Sequence, residues 1–198
     1  MRTRLIVFFC SIVIVHMLSA ETVRDVMQSF RTSGLYSSYL ESYVNMAKIK
    51  NIPDEKLISL LQTKKEYLQT VRVVKPDIKN SSFDMILYFS DMGITPQTVV
   101  VFFDSGKSED FMPALKELIT VLISSYESSA DELNTVYRSS CEKNYSASDI
   151  SGLASQLRQL YLHSGGKKAR EIRMIVVKNM TFGNSIKYII RSIQEVLR

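Results

Sequence analysis

SEDFMPALKELITVLISSY, residues 108–126, carries the cleanest helical period of the chain beyond its N-terminal run. Phe111, Leu115, Leu118, Leu122 and Tyr126 recur at steps of three and four, which stacks them along one stripe of a 3.6-residue helix; Ile119 and Ile123 widen that stripe. Ser108 stands where an N-cap belongs, Glu109 and Asp110 bring negative charge to the first turn, and Pro113 falls early enough for its missing N–H to be tolerated. Only Lys116 and Glu117 read as wet. A helix apolar over so much of its circumference is expected at the centre of a helical domain.

The same punctuation extends outward. On the N-terminal side, Val23, Val26, Met27 and Phe30 predict a helix that stops near Gly34, and Leu35, Tyr36, Tyr39, Leu40, Tyr43, Val44 and Ala47 a second. Pro53 with Asp54 and Glu55 opens a third, carrying Leu57, Leu60, Leu61, Leu68 and Val71 to a stop before Pro76. A fourth is expected from Ser82 to Met92, and a fifth from the Thr95-Pro96 start to Gly106. On the C-terminal side, Ser129 and Glu132 have capping-box spacing ahead of Leu133, Val136, Tyr137 and Cys141. Asp149 enters a helix with the stripe Ile150, Leu153, Leu157 and Leu160, closed by Gly165-Gly166. Two more follow, one through Ala169, Ile172, Ile175 and Val176, one through Phe182, Ile186, Ile189, Ile193 and Leu197.

No repeat or linker interrupts the series, so the expectation is one all-α domain over residues 21–198, a bundle of about nine to ten short helices. The β-branched runs at 99–103 and 175–177 leave an α+β alternative with short buried strands open.

Residues 1–20, MRTRLIVFFCSIVIVHMLSA, place two arginines before an apolar run that ends in Leu-Ser-Ala. That is the layout of a secretory signal peptide, and the run is short for a membrane span. Cleavage after Ala20 predicts a secreted, extracellular chain with no membrane-spanning segment left. It also removes Cys10 and His16, leaving Cys141 and His163 alone in their kinds. A lone Cys forms no intrachain disulfide, and one Cys with one His does not make the usual zinc cluster, so packing alone must hold the fold. Three Asn-X-Ser/Thr sequons, at Asn80, Asn144 and Asn179, fall at breaks in the apolar period and predict N-glycosylation of at least one.

Residues 21–149 carry 14 Lys and Arg against 18 Asp and Glu, whereas residues 150–198 carry nine against two. Such asymmetry means that the two parts face each other or that the basic end meets an acidic partner. The sharpest feature of that end is Gly165, Gly166, Lys167, Lys168 and Arg170. A helix starting near Lys167 would hold cations at its positive dipole end, a conflict that a bound anion or lipid headgroup relieves through free N–H groups. The plainer reading is a glycine helix stop followed by a solvated basic face. The P-loop pattern is not met, because Lys168 stands where Ser or Thr should follow Gly-Lys, and a nucleic-acid partner is not expected of an exported helical chain.

No catalytic, metal or cofactor site is expected. Cys141 lies on the apolar stripe of its helix, where a free thiol acts as a small hydrophobe, and an intermolecular disulfide is the other reading of an odd Cys. Glu109-Asp110 and Asp131-Glu132 are accounted for as helix starts.

Two non-enzymatic readings follow. In the first, helices enclose a pocket for a small apolar ligand such as a fatty acid or retinoid, with Phe111, Leu115 and Leu118 lining it and Tyr36, Tyr39 and Tyr43 rimming its mouth. In the second, the basic end binds an acidic protein, glycan or membrane surface. In length, leader, absence of Trp and lack of paired cysteines, the chain resembles the secreted, helix-rich fatty-acid and retinol-binding proteins of nematodes, and IPDEKLISLL, residues 52–61, is similar to their Pro-then-acidic helix starts. That resemblance implies an all-helical carrier of lipid.

Overall fold

The computed structural model describes residues 21–198; the expected leader lies outside them. Helices α1 (Val23–Thr32), α2 (Ser38–Ile49) and α3 (Asp54–Val74) lead through a 3₁₀ turn (Asn80–Ser82) into α4 (Phe83–Asp91). The one-turn pieces α5 (Pro96–Val99) and α6 (Val101–Asp104) precede the central α7 (Phe111–Tyr126), and α8 (Ala130–Glu142), α9 (Ala147–Ser164), α10 (Ala169–Phe182) and α11 (Ile186–Leu197) complete the chain. No strand occurs among the described residues, so the α+β alternative falls away: 99–103 spans α5 and α6, and 175–177 lies inside α10. In both runs the β-branched side chains are buried or half-buried between helices, and packing overrides their strand preference.

α7 occupies the position that its composition demands. Its most extensive partner is α9, and α8 and α10 also pack on it. Phe111, Leu115, Leu118, Ile119, Leu122 and Tyr126 are all buried, and Tyr126 donates its O–H to the Leu157 carbonyl of α9 at 2.7 Å. Each such side chain contributes about 1.5–3 kcal/mol by leaving water. Two details differ from the sequence reading. Ser108 is not the cap: the helix starts at Phe111 with Asp110 at the N-cap position, and Ser108 instead bonds to the Asp110 carboxylate. Lys116 and Glu117 are half-buried rather than wet, since Lys116 lies 3.9 Å over the Tyr88 ring and Glu117 pairs with Arg158 at 3.2 Å.

The helix expected from Thr95 to Gly106 is broken at Val100. The Tyr137 O–H donates to the Val99 carbonyl at 3.2 Å, and the Phe103 N–H, which a continuous α-helix would direct there, bonds to Val100 at 2.9 Å. Leu35 and Tyr36 precede α2 rather than belonging to it, because extended Ser37 stands at its N-cap position, and Phe182 closes α10 at 68% exposure instead of opening the last helix. The capping box of Ser129 and Glu132 forms as the spacing requires, and Ser146 with Asp149 makes another.

The acidic and basic parts of the chain do face each other in places. Arg158 pairs with Glu117, and Arg173 donates to the carbonyls of Tyr126 and Glu127 at 2.9 and 2.6 Å, which caps the end of α7 with positive charge. Its Nε lies 3.1 Å from Glu132 without the alignment of a hydrogen bond. Lys167, Arg170, Lys178 and Lys187 make no ion pair among the described residues.

Candidate functional site

α2 presents Tyr39, Ser42, Tyr43, Met46 and Ala47 at steps of three and four, with Lys50 just past its end, and these residues form one wall of a groove of 380 Å³. Ile52, in the turn before α3, and Asp91, the last residue of α4, complete it. Asp84, in the first turn of α4, fixes α2 from below: its carboxylate accepts from Ser38 Oγ at 2.5 Å and from the Tyr39 N–H at 3.2 Å. Burial opposes its charge, yet these hydrogen bonds, led by Ser38, hold its carboxyl below the ordinary range.

The base of the groove is charged. Lys64 of α3 is 4% exposed and pairs with Asp91, whose other oxygen accepts from the Tyr39 phenol. The ammonium also lies 4.3 Å from the centre of the Tyr43 ring and 5.7 Å from that of Tyr39, while the two rings stack at 6.4 Å. Burial first, then the bond to Asp91, pushes the Tyr39 phenol well above its ordinary value; burial and the Asp91 charge raise Tyr43 as well. Both phenols therefore stay protonated at neutral pH, which makes Tyr39 a donor and not a base. The result is a rigid aromatic wall, neutralised from beneath, with Met46 and Lys50 exposed at the rim.

Of the side chains expected to form an apolar pocket, Tyr39 and Tyr43 meet here. Tyr36 does not: it sits at the α1–α2 corner, bonded to Glu41 with Arg31 4.7 Å over its ring. Phe111, Leu115 and Leu118 are between 0% and 1% exposed and belong to the buried core around α7, apart from this groove. Lys64 and Asp91 were not singled out from sequence. The signal for Lys64 was present, because it falls in the buried series Leu57, Leu61, Lys64, Leu68 and Val71 of α3, where a lysine requires a partner. Asp91 carried no such mark.

The basic loop is built differently from the expected anion nest. Gly165 and Gly166 take left-handed conformations at φ 59° and 76°, as a glycine helix stop requires, and α10 begins at Ala169 with Lys168 at its N-cap position. The N–H groups of Gly166, Lys167 and Ala169 are spent on the carbonyls of Tyr161, Ser164 and Gly166. Lys168 donates to the Val196 carbonyl at the end of α11, and Arg170 is exposed beside Glu171. The N–H groups of the glycine pair itself are thus both spent on the Tyr161 carbonyl.

Asn80 and Asn144 are exposed in turns, whereas Asn179 is half-buried within α10 and its amide nitrogen donates to Ile175 at 2.8 Å. Asn179 thus does not lie at a break in the fold, because α10 runs through it to Phe182. Cys141 is 3% exposed, and burial pushes its thiol up to about 12, which removes it as a nucleophile. His163 is exposed on the last turn of α9, with Nδ1 2.7 Å from the Gln159 carbonyl. Among the described residues no helix is long and apolar enough to cross a membrane, and no group of three or more His, Cys, Asp or Glu side chains is placed to hold a metal ion.

No protein-family model matches the chain, and no curated protein or solved structure matches it.

Proposed function

We propose that the protein is a non-enzymatic binding protein that holds a small apolar ligand bearing an acidic group, of the fatty-acid or retinoid kind, along the α2 groove. The observation that carries this reading is the wall of Tyr39, Tyr43, Met46, Ala47 and Ile52 beside the cation of Lys50. An apolar surface with few polar groups, within the roughly 300–1,000 Å³ typical of ligand sites, is the usual form of such a site. The stacked rings are held before any ligand arrives, which lowers the ordering cost of binding. Met46 adapts to irregular apolar shapes, and Lys50 meets the acidic end. The likeness to nematode lipid carriers in length and leader supports the same ligand class, and the leader-like start of the chain supports a role outside the cell.

Displacement of an environment-sensitive fluorescent fatty acid tests the reading. Binding is expected to survive high salt, because apolar burial is not screened, and to weaken by about tenfold in Tyr43→Ser. Absence of displacement by ligands of several chain lengths, or an unchanged affinity in Tyr43→Ser, would overturn it.

A further inference from the structure

A second groove, of 700 Å³, runs between α10 and α11, and it differs in kind from the first. Arg170, Met174, Lys178 and Phe182 follow one another at steps of four along α10, so a single exposed ridge alternates cation and apolar side chain. Met174 is 50% exposed and Phe182 68%; across the groove, Tyr188 of α11 is 54% exposed. Lys187 and Arg191 stand on the outer flank of Tyr188. Large apolar side chains gathered in the open on one surface mark a place of contact.

We propose that this helical hairpin docks the protein onto an anionic lipid surface. Phe182, Tyr188 and Met174 enter the headgroup layer, and Arg170, Lys178 and Lys187 meet the lipid phosphates and carboxylates. Charge selects the occupant. On these two helices Glu171 and Glu195 are the acidic residues, and Glu195 is already paired with Arg191 at 3.2 Å. Arg170, Lys178 and Lys187 have no ion pair among the described residues. A second copy of this face would bring the same cations together and is disfavoured. Aromatic side chains beside lysines are the composition of helices that lie at a bilayer interface, and a fluid lipid surface satisfies cations in any register. The hairpin packs on α7, α8 and α9 through Ile172, Val176, Met180, Ile189 and Ile193, whereas Arg170, Met174, Lys178 and Phe182 stay exposed. This docking is independent of ligand binding in the α2 groove.

The chain contains no Trp, so Phe182→Trp creates a single fluorescent reporter at an exposed position that the fold does not need. On vesicles containing phosphatidylserine its emission is expected to shift to the blue and to be quenched by brominated acyl chains. Co-sedimentation is expected to favour these vesicles over pure phosphatidylcholine by about tenfold or more, because several cations near the surface act together. Lys178→Glu with Lys187→Glu is expected to abolish that preference with an unchanged circular dichroism spectrum. An unshifted emission on the anionic vesicles would overturn the proposal. So would anionic binding that ignores the charge reversals, or retention on heparin without vesicle binding, which would assign the face to a sulfated or acidic macromolecule.

Discussion

The ammonium of Lys64 is buried against the carboxylate of Asp91 where α3 passes the end of α4, and the pair is roofed by the rings of Tyr39 and Tyr43. The lysine side chain is 5% exposed and the carboxylate 35%, so the pair lies between the buried and surface limits. Removing the anion strands a cation that has few routes to water. Asp91→Ala is therefore expected to cost about 1–3 kcal/mol in urea unfolding, and the double variant with Lys64→Met to recover most of that loss. If the double variant is no more stable than Asp91→Ala, the pair is not the unit described.

Core and groove separate cleanly by mutation. Leu118 is fully buried in α7. Leu118→Ala is expected to destabilise the protein by about 2–5 kcal/mol while leaving the affinity of the folded protein for a fluorescent fatty acid within about twofold of the parent. A selective loss of affinity at full stability would return Leu118 to a ligand pocket.

Alkaline pH should destabilise the fold. Burial raises Cys141 from an ordinary 9.0 to about 12 and raises Tyr126 from 10.0 to about 12. For a group whose folded value is raised, the native state keeps a proton that the unfolded chain has released. Stability is thus complete below the unfolded value and declines as pH climbs from about 9 towards about 12. Denaturant midpoints measured across that window are expected to fall. A thiol reagent at neutral pH should label Cys141 only after unfolding.

The three sequons are not equivalent sites. Asn80 and Asn144 are exposed in turns, while the Asn179 nitrogen that a glycan would occupy already bonds to the Ile175 carbonyl inside α10. Enzymatic deglycosylation in heavy-oxygen water followed by peptide mapping is expected to mark Asn80, Asn144 or both, and to leave Asn179 unmarked. A marked Asn179 would place a glycan in the α10–α11 groove, which Asn179 lines.

The helices were legible because each is written locally. The stripe from Phe111 to Tyr126, the box that starts at Ser129 and the glycine stop at Gly165 state their own conformations within a few residues. The break at Val100 was not legible, since it depends on the hydroxyl of Tyr137, which arrives from α8.

Sequence by itself determined the helical stripes, most of their caps and a single cysteine in residues 21–198, because period, caps and cysteine count are read from the chain itself, whereas the helical state of 99–103 and 175–177 was decided by packing. Only the tertiary structure decided which apolar residues vanish into the core and which stay at a groove. Phe111, Leu115 and Leu118 read from sequence much as Tyr39 and Tyr43 do, and the difference arises from what α9 and α4 bring against them. The same holds for charge. Lys64 and Lys178 are alike as letters, yet one is sealed beneath two rings by a carboxylate 27 residues away and the other stands unpaired on an open ridge.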